Sequence, residues 1–153
     1  MSTSHDTPAD LVATQLVELL PWLLRAIHQQ MRESDSGLHL SQARLLGMCG
    51  HREWSLSELA RKQGVAPATM SRMVNTLVGR GWLHRRPAQS DRRAIVVGLT
   101  PLGRSVLDES NRQMRAHFAQ LLAGLDQPDL NLTAQGLDTL RGALATANGS
   151  AGV

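Results

Sequence analysis

SLSELARKQGVAPATMSRMVNTLVGRG, residues 55–81, decides the reading of the fold. Ser55 and Glu58 stand three apart, the spacing of a capping box, ahead of Leu56, Leu59 and Ala60. Gly64 then supplies the left-handed turn that ends this first helix. Pro67 opens a second helix, because proline's missing N–H is not needed at a first helical position. Met70, Met73, Val74, Leu77 and Val78 give that helix one apolar face. Ala60, Gly64 and Met70 therefore take the small, turn and buried positions of a helix-turn-helix. The opposite face carries Ala68, Thr69, Ser71, Arg72, Asn75 and Thr76. A merely solvated face would more often show Glu and Lys pairs, whereas these short polar groups can donate and accept at base edges and phosphates.

Downstream, Gly81 closes the second helix, and two strand-like runs follow, Trp82–Arg86 and Ala94–Leu99, the latter alternating Ile95, Val97 and Leu99. Pro87 to Arg93 lies between them as a polar, basic hairpin tip, so the pair reads as a wing. Thr100 and Pro101 cap and open a long helix with Leu102, Val106, Leu107, Met114, Phe118, Leu121, Leu122 and Leu125 near one stripe. A break is expected over residues 127–132, then a last helix capped by Thr133, with Leu137, Leu140 and Leu144 apolar and a frayed end from Asn148. Upstream, Ser41 is expected to cap a short helix, Gln42–Met48, with Leu40 and Leu45 as a staple and Gly47 and Gly50 ending it. Ala9–Arg32 reads as a long amphipathic helix, and Pro21 inside it predicts a kink or a break.

The whole is mainly α with a small β-hairpin wing, one domain over residues 1–153. Residues 41–100 form the winged helix-turn-helix lobe, flanked by helices at 9–32 and 101–147. At 153 residues and 42% apolar composition the chain suits one globular core. Glu18 and Arg25 interrupt its most hydrophobic stretch, 11–27, so no membrane span is expected, and the polar residues 1–10 do not read as a secretory signal. The cytoplasm is the expected compartment. The net charge of +3 conceals an uneven distribution: residues 61–93 hold eight cations and one acid, leaving the remainder at −4. One basic segment on an acidic body is the pattern of a segment that approaches a polyanion.

The order of elements resembles the MarR family of transcription regulators over roughly Leu11 to Leu144. The resemblance rests on Leu56-Ser57-Glu58-Leu59-Ala60, Met70-Ser71-Arg72-Met73-Val74, Leu77 to Trp82, DRRAIVVGLT at residues 91–100, and Leu102-Gly103. It implies a homodimer, built through the N- and C-terminal helices, that represses by occupying a palindromic operator in double-stranded DNA. Ser71, Arg72 and Asn75, with Thr69 and Thr76 beside them, would face the major groove. Arg93 at the wing tip would enter the minor groove, flanked by Arg85, Arg86 and Arg92. Asp91 would support the wing by pairing with Arg80 or Arg93. Ala66 departs from the Ser or Thr common at the cap of this helix.

The resemblance also implies release by a small aromatic or phenolic effector, for which Trp22, Arg25, His28 and Trp54, with His51 and His117, are candidates; core packing is the competing role for each tryptophan. The single cysteine, Cys49, allows either a thiol sensor or a buried inert thiol. Six histidines occur singly, without metal-ligand spacing, and no phosphate loop, nucleophile elbow or zinc-protease motif is present. No enzyme activity, cofactor or metal is expected. A winged-helix module for protein interaction is the competing class, and the basic charge of the wing and second helix weighs against it.

Overall fold

The computed structural model describes residues 7–34, 36–88 and 95–150, with side chains through 147. In chain order the elements are α1 (Pro8–Glu33), α2 (Leu40–His51), β1 (Trp54–Ser55), α3 (Leu56–Gln63), α4 (Pro67–Gly79), β2 (Leu83–Pro87), β3 (Ile95–Leu99), α5 (Pro101–Leu121) and α6 (Gln127–Ser150). The mainly helical class with a β wing is as expected. β1 is an addition: Trp54 pairs with Val97 and Ser55 with Val96, which makes the wing a three-stranded antiparallel sheet ordered β1-β3-β2.

The chain divides into two units, residues 1–114 and 115–153. The first has its own core, in which Leu45, Leu46, Leu59, Met70, Val74, Leu77, Leu83 and Val97 are fully buried. Each such side chain contributes about 2 kcal/mol of transfer free energy, so these residues hold α2, α3, α4 and the sheet together. α1 meets this core through Met31 but buries no residue of its own. Leu11, Val12, Val17, Leu20 and Trp22 are among its exposed apolar side chains. In the second unit no side chain among the described residues is buried, and Leu121, Leu132, Leu137 and Leu144 are exposed.

Local chemistry explains the boundaries. Ser55 Oγ accepts the Glu58 N–H at 3.3 Å, and the Glu58 carboxylate accepts the Ser55 N–H at 2.9 Å, the reciprocal bonds of a capping box. Gly64 adopts φ +66° and lets the Val65 N–H return to the Ala60 carbonyl at 3.1 Å, so α3 turns sharply into α4. The Thr100 hydroxyl accepts the Gly103 N–H at 2.9 Å and starts α5.

Four expectations are corrected. Of the kink or break expected at Pro21, the break does not occur: α1 is a single helix over Pro8–Glu33. α2 starts at Leu40 rather than Gln42, because the Gln42 side chain accepts the His39 N–H at 3.2 Å, and it runs past Gly47 and Gly50 to His51. The expected break over 127–132 is the first turn of α6: Asp126 accepts the Asp129 N–H at 2.9 Å, and Pro128 fits a first turn that has no use for its N–H. Thr133 thus lies inside the helix, which extends to Ser150 rather than fraying from Asn148.

The bonds that Ser55 and Arg52 donate to Glu58 hold its carboxyl at about 2, well below its ordinary value, the Ser55 backbone bond being the largest cause. A depressed pKa stabilises the fold above the ordinary value of about 4.5, and the stabilisation is lost as pH falls toward 2. With the side chain about 35% exposed, its worth is that of a solvated cap. Glu58→Gln is expected to cost about 1 kcal/mol at pH 7. Denaturant unfolding from pH 7 to pH 2 checks this: the gap between variant and wild type should close below pH 4.5 and be absent by pH 2.

Candidate nucleic-acid interface

α4 buries Met70, Val74 and Leu77, one face at helical spacing, and so turns the opposite face outward. There Ala68, Arg72, Asn75 and Thr76 are exposed, while Thr69 and Ser71 are half-buried. The Thr76 hydroxyl donates to the Arg72 carbonyl at 3.1 Å, which leaves its oxygen lone pairs outward. As the sequence implied, Ala66 provides no side-chain cap, so the first-turn N–H groups of α4 keep their donor capacity.

On the wing, Arg85 is exposed, but Arg86 is engaged: its Nε donates to Glu53 Oε1 at 2.7 Å and its Nη2 to Oε2 at 2.6 Å. Gln89 to Ala94 lie outside the described residues, and with them Asp91, Arg92 and Arg93. Arg80 donates to the Gly37 carbonyl at 3.1 Å and lies 4.9 Å from the ring centre of buried Trp82. It thereby ties the end of α4 to the segment preceding α2.

Of the effector candidates, His28 lines a cavity of about 600 Å³ together with His39, Leu40, Ser41, Arg44, Gln63, Val65 and Met73. Trp22, Arg25 and Trp54 are not among its walls. Trp22 is 70% exposed on α1. Trp54 belongs to the sheet edge, where its indole N–H donates to the Met48 carbonyl at 2.9 Å and Arg52 lies 3.3 Å over its ring. His51 lines a second cavity, of about 460 Å³, with Arg44, Arg104 and Asp108. His117 lies in α5 beside Phe118, with its Nε2 buried and unbonded among the described residues. Cys49 is buried in the core, and burial pushes its thiol up to about 12. Such a group supplies almost no thiolate at neutral pH. Among the described residues no three His, Cys, Asp or Glu gather as metal ligands, and no helix is long and apolar enough to cross a membrane.

Sequence reasoning did not single out Glu53, His39 or Arg44. Arg86 lies 33 residues from Glu53, and the Lys62 carbonyl that Arg44 reaches lies 18 residues away, so no local spacing announces these two.

A buried-face helix after a tight glycine turn, set beside a three-stranded wing, defines a winged helix-turn-helix protein. Residues 36–94 match the MarR family model. The chain is 30% identical over 83 residues to the multiple antibiotic resistance protein MarR of Salmonella typhimurium, a stretch covering 54% of each protein. Among solved structures, RV1404 from Mycobacterium tuberculosis superposes with a TM-score of 0.77 at 24% identity, over 91% of this chain and 95% of that one. Streptococcus pneumoniae FabT in complex with DNA superposes with a TM-score of 0.66 at 18% identity, over 91% and 99%. The helix-turn-helix and wing of this chain, within residues 36–94, are thus similar to those of the MarR family of transcription regulators.

Proposed function

We propose that this chain is a transcription repressor that binds double-stranded DNA as a homodimer in the cytoplasm, with no catalytic step and no cofactor. The observation that carries the reading is the outward face of α4: Arg72, Asn75 and Thr76 stand exposed there, with exposed Arg85 on the wing. Arg forks onto guanine and Asn onto adenine, so this face can read base edges in a major groove. Arg93, outside the described residues, would add a minor-groove contact, since a narrow groove concentrates negative potential. The similarity to a protein solved on DNA supports the same assignment.

Homodimerisation is supported by the apolar side chains that α1 and the second unit leave exposed. Patches of that extent favour a self-complementary interface around a two-fold axis. Residues 9–32 and 101–147 would form that interface, and 41–100 would be the lobe that meets DNA. Two α4 helices would then address half-sites about 34–36 Å apart.

The cavity at His28 fits a small aromatic or phenolic effector. Its walls include Met73 of α4, so an occupant would touch the recognition helix itself. Neither the protein-interaction alternative nor thiol sensing draws support from a particular contact, and the buried Cys49 opposes the latter.

Selection of bound duplexes from a random pool tests the reading. An enriched inverted repeat, with half-sites about one helical turn apart, is the expected result. A pool that stays random after several rounds would count against the repressor.

A further inference from the structure

We propose that Glu53 is a positioning residue for the wing, and that Arg86 serves this clamp rather than a phosphate. The inference rests on the DNA-binding reading. Glu53 immediately precedes β1, at one edge of the sheet, while Arg86 lies on β2 at the other edge, with β3 between them. The carboxylate crosses β3 at Gly98, where the missing side chain leaves it room: an added Cβ would stand 2.7 Å from His84 Nε2 and 3.0 Å from Glu53 Oε1, and both side-chain ends would have to shift. On the far side it receives both prongs of the Arg86 guanidinium, with His84 Nε2 3.8 Å away. Two parallel charge-assisted bonds fix direction as well as distance.

The anchor end is itself held. Arg52 donates to the Glu53 carbonyl at 3.2 Å and to the Glu58 carboxylate at 3.1 Å, and Glu58 closes the cap of α3. Trp54, next in the chain, is pinned through its indole N–H. One continuous set of contacts thus runs from the start of the helix-turn-helix to the wing. Its effect is to set the wing's angle relative to α4, the quantity on which simultaneous contact with two grooves depends. Arg86, with its charge matched by Glu53, then adds no net phosphate neutralisation.

The test combines Glu53→Gln, Arg86→Ala and their double variant, read by amide hydrogen exchange and by anisotropy on a labelled duplex from the chain's own upstream region. Amides of β2 and β3 should exchange about tenfold faster in both single variants, the loss expected of a charged hydrogen-bonded pair. Arg86→Ala should weaken DNA binding about tenfold with an unchanged salt slope, and the double variant should lose no more than Arg86→Ala alone. Wild-type exchange rates in Glu53→Gln would overturn the clamp. So would a slope reduced by about one in Arg86→Ala, the signature of a phosphate contact. If the wild-type chain binds no duplex, the DNA-binding reading fails, and the exchange rates alone decide whether Glu53 holds the wing.

Discussion

Gly103→Ala is expected to destabilise the protein by about 3 kcal/mol or more, at or beyond the upper end of ordinary overpacking. A Cβ at position 103 would stand 2.0 Å from the Trp82 carbonyl oxygen and 2.9 Å from Leu99 Cδ1. The first is backbone and cannot turn away. That carbonyl also accepts the Thr100 N–H at 3.1 Å, so displacing it would pull the start of α5 away from the strand that begins at Leu83. Calorimetry should show a fall of about 10 °C in Tm, given roughly 2–4 °C per kcal/mol in a chain of this size. Gly47→Ala is the matched comparison: nothing lies within 4 Å of its added Cβ, and it sits inside α2. Helix propensity alone should stabilise that variant by about 0.5–1 kcal/mol. Equal Tm values for the two variants would contradict the close packing of α5 on Trp82.

Arg72→Ala is expected to weaken binding to the selected duplex about 10- to 100-fold while leaving the fold intact, because a good bidentate base contact is worth about 1–3 kcal/mol. Arg72 is exposed on α4, and the residues that hold that helix, Met70, Val74 and Leu77, lie on its other face. Binding to duplexes mutated one position at a time separates base reading from phosphate contact. Relaxed discrimination at a single position identifies a base contact; a uniform loss with the salt slope reduced by about one identifies a phosphate contact. Undiminished affinity would remove Arg72 from the interface.

The helix-turn-helix is legible in the sequence because its determinants are local. Ser55 and Glu58 meet three residues apart, Gly64 acts through its own φ, and Met70, Val74 and Leu77 repeat along one helix. The boundaries that were not legible depend on competing local signals. Gln42 reaches back to His39 and displaces Ser41 as the cap of α2, and Asp126 turns a proline-containing stretch into the start of α6. β1 is two residues long, too short for any alternation to register, and is defined only by its partner β3, about 40 residues downstream. The same distance hid Glu53. Composition reads Arg85 and Arg86 as one basic pair; the strand turns them to opposite faces, leaving Arg85 exposed and binding Arg86 to Glu53.

Salt-titrated binding to the chain's own upstream region, with stoichiometry from sedimentation, tests the proposal that it binds duplex DNA as a dimer. One dimer per site is expected, with log K falling against log salt with a slope of about −4 or steeper, from two or three phosphate-facing cations on each protomer. The absence of binding to any duplex at low salt would contradict it.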